Sequence, residues 1–222
     1  MKIIRPYFRI ATPGTREQGI DALRSIEYFA RVSHRSEEMQ TPESYDRFLR
    51  AVVVGKGDWS VTEHAFATVV FRVDRGCTHE IVRHRLFSYT QESTRFVNYG
   101  KREIEFVEPE WSEAGQAQGT PYYTWSHAMF QAEQDYLDLL KQGQPPQAAR
   151  SVLPNATAAT LVMTGNLRSW KYFLQARTTR ETHPDLRRVV IPLLKDFQER
   201  IPILYEDVIP NEKQSIAFSK PR

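Results

Sequence analysis

The ten residues from His64 to Val73, dense in Phe, Val and Thr, read as one strand with substantial burial. Thr157 to Thr164 reads as a second strand. The remaining periodic segments are helical. Ile20, Leu23, Ile26, Tyr28 and Phe29 keep roughly helical spacing over residues 17–35. Pro121 to Lys141 predicts a long amphipathic helix, with Trp125, Ala128, Met129, Ala132, Tyr136 and Leu139 or Leu140 on one face. Leu167 to Ala176 and Pro184 to Arg200 supply the last helices. With no internal repeat, linker or low-complexity tract, residues 1–222 read as one α+β domain.

Shorter signals fill in the order. Thr41-Pro42-Glu43-Ser44 predicts a helix start with Thr41 as cap, and Gly55-Lys56-Gly57-Asp58 ends that helix. Asp74-Arg75-Gly76 predicts a turn, followed by a short helix from Cys77 to His84 with Glu80 in reach of Arg83 and His84. Phe87 to Tyr99 and Ile104 to Val107 read as extended, and Trp111 to Thr120 as a surface loop. A short helix to Val152 follows Pro145-Pro146.

Composition removes several classes. Hydrophobic residues make up 41% and charged residues 26%, the mixture of a soluble globular protein. No apolar run reaches membrane-spanning length, and Met1 to Pro6 lacks the apolar core of a secretion signal. The one cysteine, Cys77, allows no internal disulfide and no cysteine-rich metal cluster, so the expected compartment is the cytoplasm. Cys77 falls on the apolar side of its segment and reads as core. His79 and His84 are five apart, which is not the spacing of a two-histidine metal site, so no metal is expected. Glycine-rich phosphate loops and a nucleophile elbow are also absent from the sequence.

The chemistry concentrates between Arg83 and Arg95. Those thirteen residues hold three arginines, His84, four small hydroxyls and Gln91 against one carboxylate, Glu92. Their net charge of +2 compares with +3 for the whole chain. Planar bidentate donors at that density suit a planar, oxygen-rich anion such as a nucleotide or a phosphorylated cofactor. Arg83, His84 and Arg85 cannot share one helix face, so they splay around a helix end or alternate in an extended segment. Gln91, Ser93 and Arg95 add the mixed donors and acceptors that a pyrimidine edge requires. A second basic group runs from Asn166 through Arg168 and Lys171 to Arg177 and Arg180. Asn166 reads as a helix cap, and Arg168 and Arg177 stand about 13 Å apart along the axis. Taken alone, both groups are equally readable as solvated basic faces. Arginines interleaved with Phe87, Tyr89, Phe96 and Tyr99 also admit a nucleic-acid-binding module.

Ala30-Arg31-Val32-Ser33, Thr62-Glu63-His64, the Arg83 to Arg95 run, Ala149 to Pro154 and Asn166 to Arg177 together resemble the flavin-dependent thymidylate synthases, in the same order. The resemblance implies an α+β fold with a central mixed or antiparallel sheet flanked by helices. It implies a homotetramer with active sites at subunit interfaces and neither nucleic acid nor membrane as partner. The implied reaction is methylation of dUMP to dTMP, with FAD as cofactor and methylenetetrahydrofolate and NADPH as co-substrates. By the same resemblance, Ser33, His64, Arg83, His84, Arg85, Gln91, Asn166, Leu167, Arg168 and Tyr172 bind FAD. Glu80, Arg83, Gln91, Glu92, Ser93, Thr94, Arg95, Arg150 and Arg177 bind dUMP, and Arg177 is the catalytic group that favours an N3-deprotonated uracil. The chain departs from the pattern at Glu80, often Gln, and at Phe96, often Tyr. Thr178 to Pro184 is longer than the usual link. Glu80 keeps open a flavoprotein of the same fold acting on another pyrimidine.

Overall fold

The computed structural model describes residues 1–114 and 119–211. Its strands are β1 (Lys2–Ile4), β2 (Tyr7–Thr12), β3 (Phe66–Asp74), β4 (Ser88–Gln91), β5 (Glu105–Val107) and β6 (Ala158–Asn166). Its α-helices are α1 (Arg16–Val32), α2 (Ser44–Leu49), α3 (Arg75–Ile81), α4 (Pro121–Lys141), α5 (Pro146–Ala149), α6 (Leu167–Arg177) and α7 (Pro184–Arg200). Strands run in the order β2-β3-β6-β4, and β1 pairs in parallel with β5. Thr68 opposite Thr164 and Arg72 opposite Thr160 mark β3 and β6 as antiparallel. The fold is mixed α+β, a sheet flanked by helices.

Contacts divide the chain into two compact units. The first holds Met1–Tyr7, Phe71–Arg83 and Tyr89–Val162. Its core packs Ile104, Phe106, Met129, Tyr136 and Ala149 around Tyr99. In α4 the inward stripe is Tyr122, Met129, Glu133 and Tyr136, whereas Ala128 is exposed, one position off the face that the sequence predicts.

The second unit holds Phe8–Val70, His84–Ser88 and the described residues from Met163 onward. Leu23 and Ile26 of α1, Trp170 and Phe173 of α6, and Val190, Leu194 and Phe197 of α7 are buried there. Trp170 stands edge-on to Phe173 and tilted on Phe197, with centroids 5.5 and 5.1 Å away.

Several boundaries differ from the sequence reading for identifiable reasons. Asp74 caps rather than turns: its carboxylate accepts from Cys77 N at 2.8 Å, so α3 begins at Arg75 and ends before Arg83. Thr41 does not cap α2. The Ser44 hydroxyl lies 2.7 Å from the buried Glu27 carboxylate and accepts from Thr41 N at 2.9 Å, which moves the helix start to Ser44. His64 closes a 3₁₀ segment (Trp59–His64) instead of opening β3. Only Ser88–Gln91 of the predicted stretch to Tyr99 is strand. The start of the predicted surface loop, residues 111–114, belongs to a 3₁₀ turn (Glu110–Ala114), and 115–118 lie outside the described residues. Among the described residues no helix is long and apolar enough to cross a membrane.

Candidate active site

In the second unit, the last residues of β6 run directly into α6, and Asn166 caps the helix by accepting from Ser169 N at 2.8 Å. Leu167 anchors the junction. Its N–H bonds Ala65 O at 2.9 Å, and its carbonyl accepts from the buried Tyr205 hydroxyl at 2.9 Å. Arg168 is exposed one residue further on and pairs with Glu63 at 2.6 Å. Lys171, grouped with the basic face by sequence, turns inward instead. Its ammonium bonds Asp207 and Leu204 O and lies 4.0 Å from the Trp59 ring centre.

The other end of α6 carries the reactive-looking geometry. Arg177 is its last residue, and its Nε–H donates to His84 Nε2 at 2.9 Å. An imidazole that accepts there carries its proton on Nδ1. Burial, reinforced by the Arg177 charge, lowers the His84 pKa from 6.5 to about 4. The exposed Tyr172 ring stands edge-on to His84, with centroids 5.8 Å apart, and Phe173 lies against His84 at 4.9 Å. Arg85 is exposed beside it in the chain.

Two supports of this end were not read from the sequence. Thr178, Thr179 and Thr182 are all buried, and their hydroxyls bond the last carbonyls of α6: Leu174 O at 2.8 Å, and Ala176 O at 3.2 and 3.3 Å. The longer link after Arg177 therefore closes the helix that carries it. A Cβ on Gly165 would sit 2.2 Å from Phe87 Cδ1, so only glycine lets that ring reach Trp170, 5.1 Å away, and fix residues 84–88. An isolated glycine inside a strand pattern was the available signal. Ser33 follows the last residue of α1 as its C-cap, its hydroxyl donating to Ala30 O at 2.9 Å, and exposed His64 rests on Phe29 with centroids 5.4 Å apart.

In the first unit the predicted substrate residues form a short bonded segment. Gln91 donates to Thr78 at 3.0 Å, and buried Thr94 accepts from Arg150 at 3.1 Å. Ser93 accepts from Arg95 N at 3.3 Å, and exposed Arg95 lies 5.5 Å from the Phe96 ring centre. Glu92 points inward to Arg72 and Tyr99. Glu80 lies in the last turn of α3, with Arg83 N bonded to its carbonyl at 3.3 Å, and Arg83 is exposed.

Residues 18–203 match the family model described as "Thymidylate synthase complementing protein". The chain belongs to this family. A curated relative, the flavin-dependent thymidylate synthase of Corynebacterium aurimucosum, is 34% identical over 197 residues, covering 82% of this chain and 78% of its own. The flavin-dependent thymidylate synthase of Mycobacterium tuberculosis is 31% identical over the same shares. The crystal structure of a UMP/dUMP methylase, PolB from Streptomyces cacaoi bound with 5-Br dUMP, superposes with a TM-score of 0.74. At 22% identity, covering 93% of this chain and 96% of that one, it shows the shared fold. All five motifs that carried the resemblance lie inside the family match.

For this family member the His84–Arg177 pair makes folding stability pH-dependent. The folded-state pKa of His84 is depressed, so the unfolded chain takes up the extra proton first on acidification. Stability contributed by neutral His84 is complete above pH about 6.5 and is lost as pH falls towards about 4. Across that window the expected loss is roughly 2–3 kcal/mol. Urea unfolding from pH 7 to 4 reads it, and His84→Asn should flatten the slope; an unchanged slope would contradict the assignment.

Proposed function

We propose that the chain is a flavin-dependent thymidylate synthase that methylates dUMP to dTMP, with 5,10-methylenetetrahydrofolate as carbon donor and NADPH as reductant of bound FAD. It works in the cytoplasm as a homotetramer with active sites where subunits meet. The observation that carries the flavin route is the place of Cys77. The chain's single cysteine is 2% exposed in the core, so no thiolate is available to add to uracil C6.

The residues around α6 fit a flavin dinucleotide. The capped helix start and Arg168 offer N–H groups and positive charge for phosphates. The exposed Tyr172 ring beside a neutral His84 offers an aromatic wall to a planar ring system. Arg83, Arg85, Asn166 and Leu167 complete that set, with Ser33 and His64 in support, and Gln91 shared with the nucleotide. When bound and reduced, FAD supplies the hydride that completes the methyl group.

The protein's own part is electrostatic. Arg95, Ser93 and Arg150 hold the nucleotide phosphate and sugar, with Glu80, Arg83, Gln91, Glu92 and Thr94 shaping the same segment. Arg177 holds the uracil in its N3-deprotonated form and so raises electron density at C5. Neutral His84 orients Arg177 without adding charge.

The test is the visible spectrum of purified protein supplied with FAD, before and after dUMP. Retained flavin bands that shift with dUMP are expected. Bands that ignore dUMP would favour another pyrimidine substrate, and failure to retain flavin would reject the reading.

A further inference from the structure

Glu92 lies in the segment assigned to the nucleotide, yet its carboxylate is spent inside the first unit. Arg72 Nη1 donates to its Oε2 at 2.5 Å, and Thr160 N donates to the same oxygen at 3.2 Å. The Tyr99 hydroxyl donates to Oε1 at 2.9 Å. Glu92 N also donates to Thr160 O at 2.8 Å, so main chain and side chain are fixed together. Burial opposes its ionisation, but the Arg72 charge and these donors outweigh burial and hold Glu92 below the usual carboxylate value.

Arg72 is the hub. Projecting from β3, it also donates to Thr160 Oγ1 at 3.1 Å and to Glu105 from Nη2 and Nε at 2.7 and 3.1 Å. Glu105 in turn takes Lys2 at 2.7 Å. Two cations and two carboxylates therefore cancel, at the edge of a cleft of about 580 Å³ that Gln91, Glu92, Tyr99 and Thr160 help to line. The Gln91 side chain donates to Thr78 instead, and Thr94 is tied to Arg150.

We propose that Arg72 is a positioning residue for the nucleotide site, acting through Glu92, and that Glu92 is a clamp rather than a ligand contact. The proposal rests on the reading of residues 91–95 as the dUMP segment. The clamp does two things. It fixes the main chain at Glu92, and so the directions in which Gln91, Ser93 and Arg95 point. It also neutralises a carboxylate that stands one residue from Ser93 and would otherwise repel a phosphate. The sequence motif alone groups Glu92 with the ligand-facing residues, and nothing in its spacing names Arg72.

The experiment is calorimetric dUMP binding to FAD-loaded protein carrying Arg72→Gln, Glu92→Gln or both. Arg72→Gln leaves Glu92 charged and without its cation, held only by Tyr99 and Thr160 N, and should weaken dUMP about tenfold or more while flavin content holds. Adding Glu92→Gln removes the orphaned charge, keeps the side-chain shape, and should recover most of that loss, a non-additivity that general damage to the fold would not produce. Should Arg72→Gln fail to fold, Arg72→Lys keeps the charge but not the two-sided fork; a smaller loss is expected, and adding Glu92→Gln, which takes away the carboxylate that the lysine still pairs with, should not rescue it. A double variant weaker than either single one would overturn the clamp and return Glu92 to direct contact. Unchanged affinity in Arg72→Gln would overturn it too. Wild-type protein that holds flavin but not dUMP would reject the underlying substrate reading instead.

Discussion

Arg177→Ala is expected to lower dTMP formation by about 10²–10³-fold, the usual cost of one preorganised donor at a developing negative charge. Flavin retention should survive. The residues proposed for flavin are others than Arg177, among them Asn166, Leu167, Arg168 and Tyr172 at α6, and the buried threonines that close the helix bond main-chain carbonyls rather than Arg177. The same substitution removes the cation that helps depress His84, so the imidazole should titrate closer to 6.5, readable by NMR. Arg177→Lys keeps the charge but loses the Nε–H that meets His84 Nε2, and should recover only part of the rate. Loss of flavin with intact dUMP binding in Arg177→Ala would contradict the assignment of Arg177 to the base.

Gly19→Ala should be among the most damaging single-methyl changes in the chain. In an exposed helix that substitution stabilises by about 1 kcal/mol. Here the new Cβ would stand 1.8 Å from the carbonyl oxygen of Arg200, at the end of α7. The neighbour is backbone, so no side chain can swing away; α1 or α7 must shift. Both helices carry buried leucines and isoleucines or valines, so the shift is felt in the core. The expected loss is roughly 3 kcal/mol or more, which for a chain of this size lowers Tm by about 6–12 °C. Gly143→Ala is the control: it has φ +87 and open space around it, so only backbone strain of about 1 kcal/mol is expected. Equal melting shifts in the two variants would show that α1 and α7 are not packed as described.

Helices long enough to carry a clear period were legible in the sequence. Pro121–Lys141 and Pro184–Arg200 match the predicted ranges to the residue, because a proline after a capping residue fixes each start. Short elements were not, because there the deciding partner is distant in sequence. Ser44 starts α2 by meeting Glu27, seventeen residues earlier, and no local pattern announces that contact. Asp74 reads as a turn residue in sequence but caps α3, because aspartate serves turns and helix caps alike.

The candidate site divides in the same way. The arginines, His84 and Asn166 were visible as residue types at fixed spacing. The partners that give them direction were not. His84 is 93 residues from Arg177, and Glu92 is 20 from Arg72. Lys171 shows the converse: a cation on the predicted basic face is buried and spends its charge on Asp207.

The most direct measurement of the central claim is a dUMP titration of the FAD-loaded protein followed by flavin absorbance, run in parallel with dCMP. A saturable shift with dUMP, absent with dCMP and weakened in Arg95→Ala, is the predicted result. A protein that holds flavin but responds to neither nucleotide, or to both alike, would contradict the account.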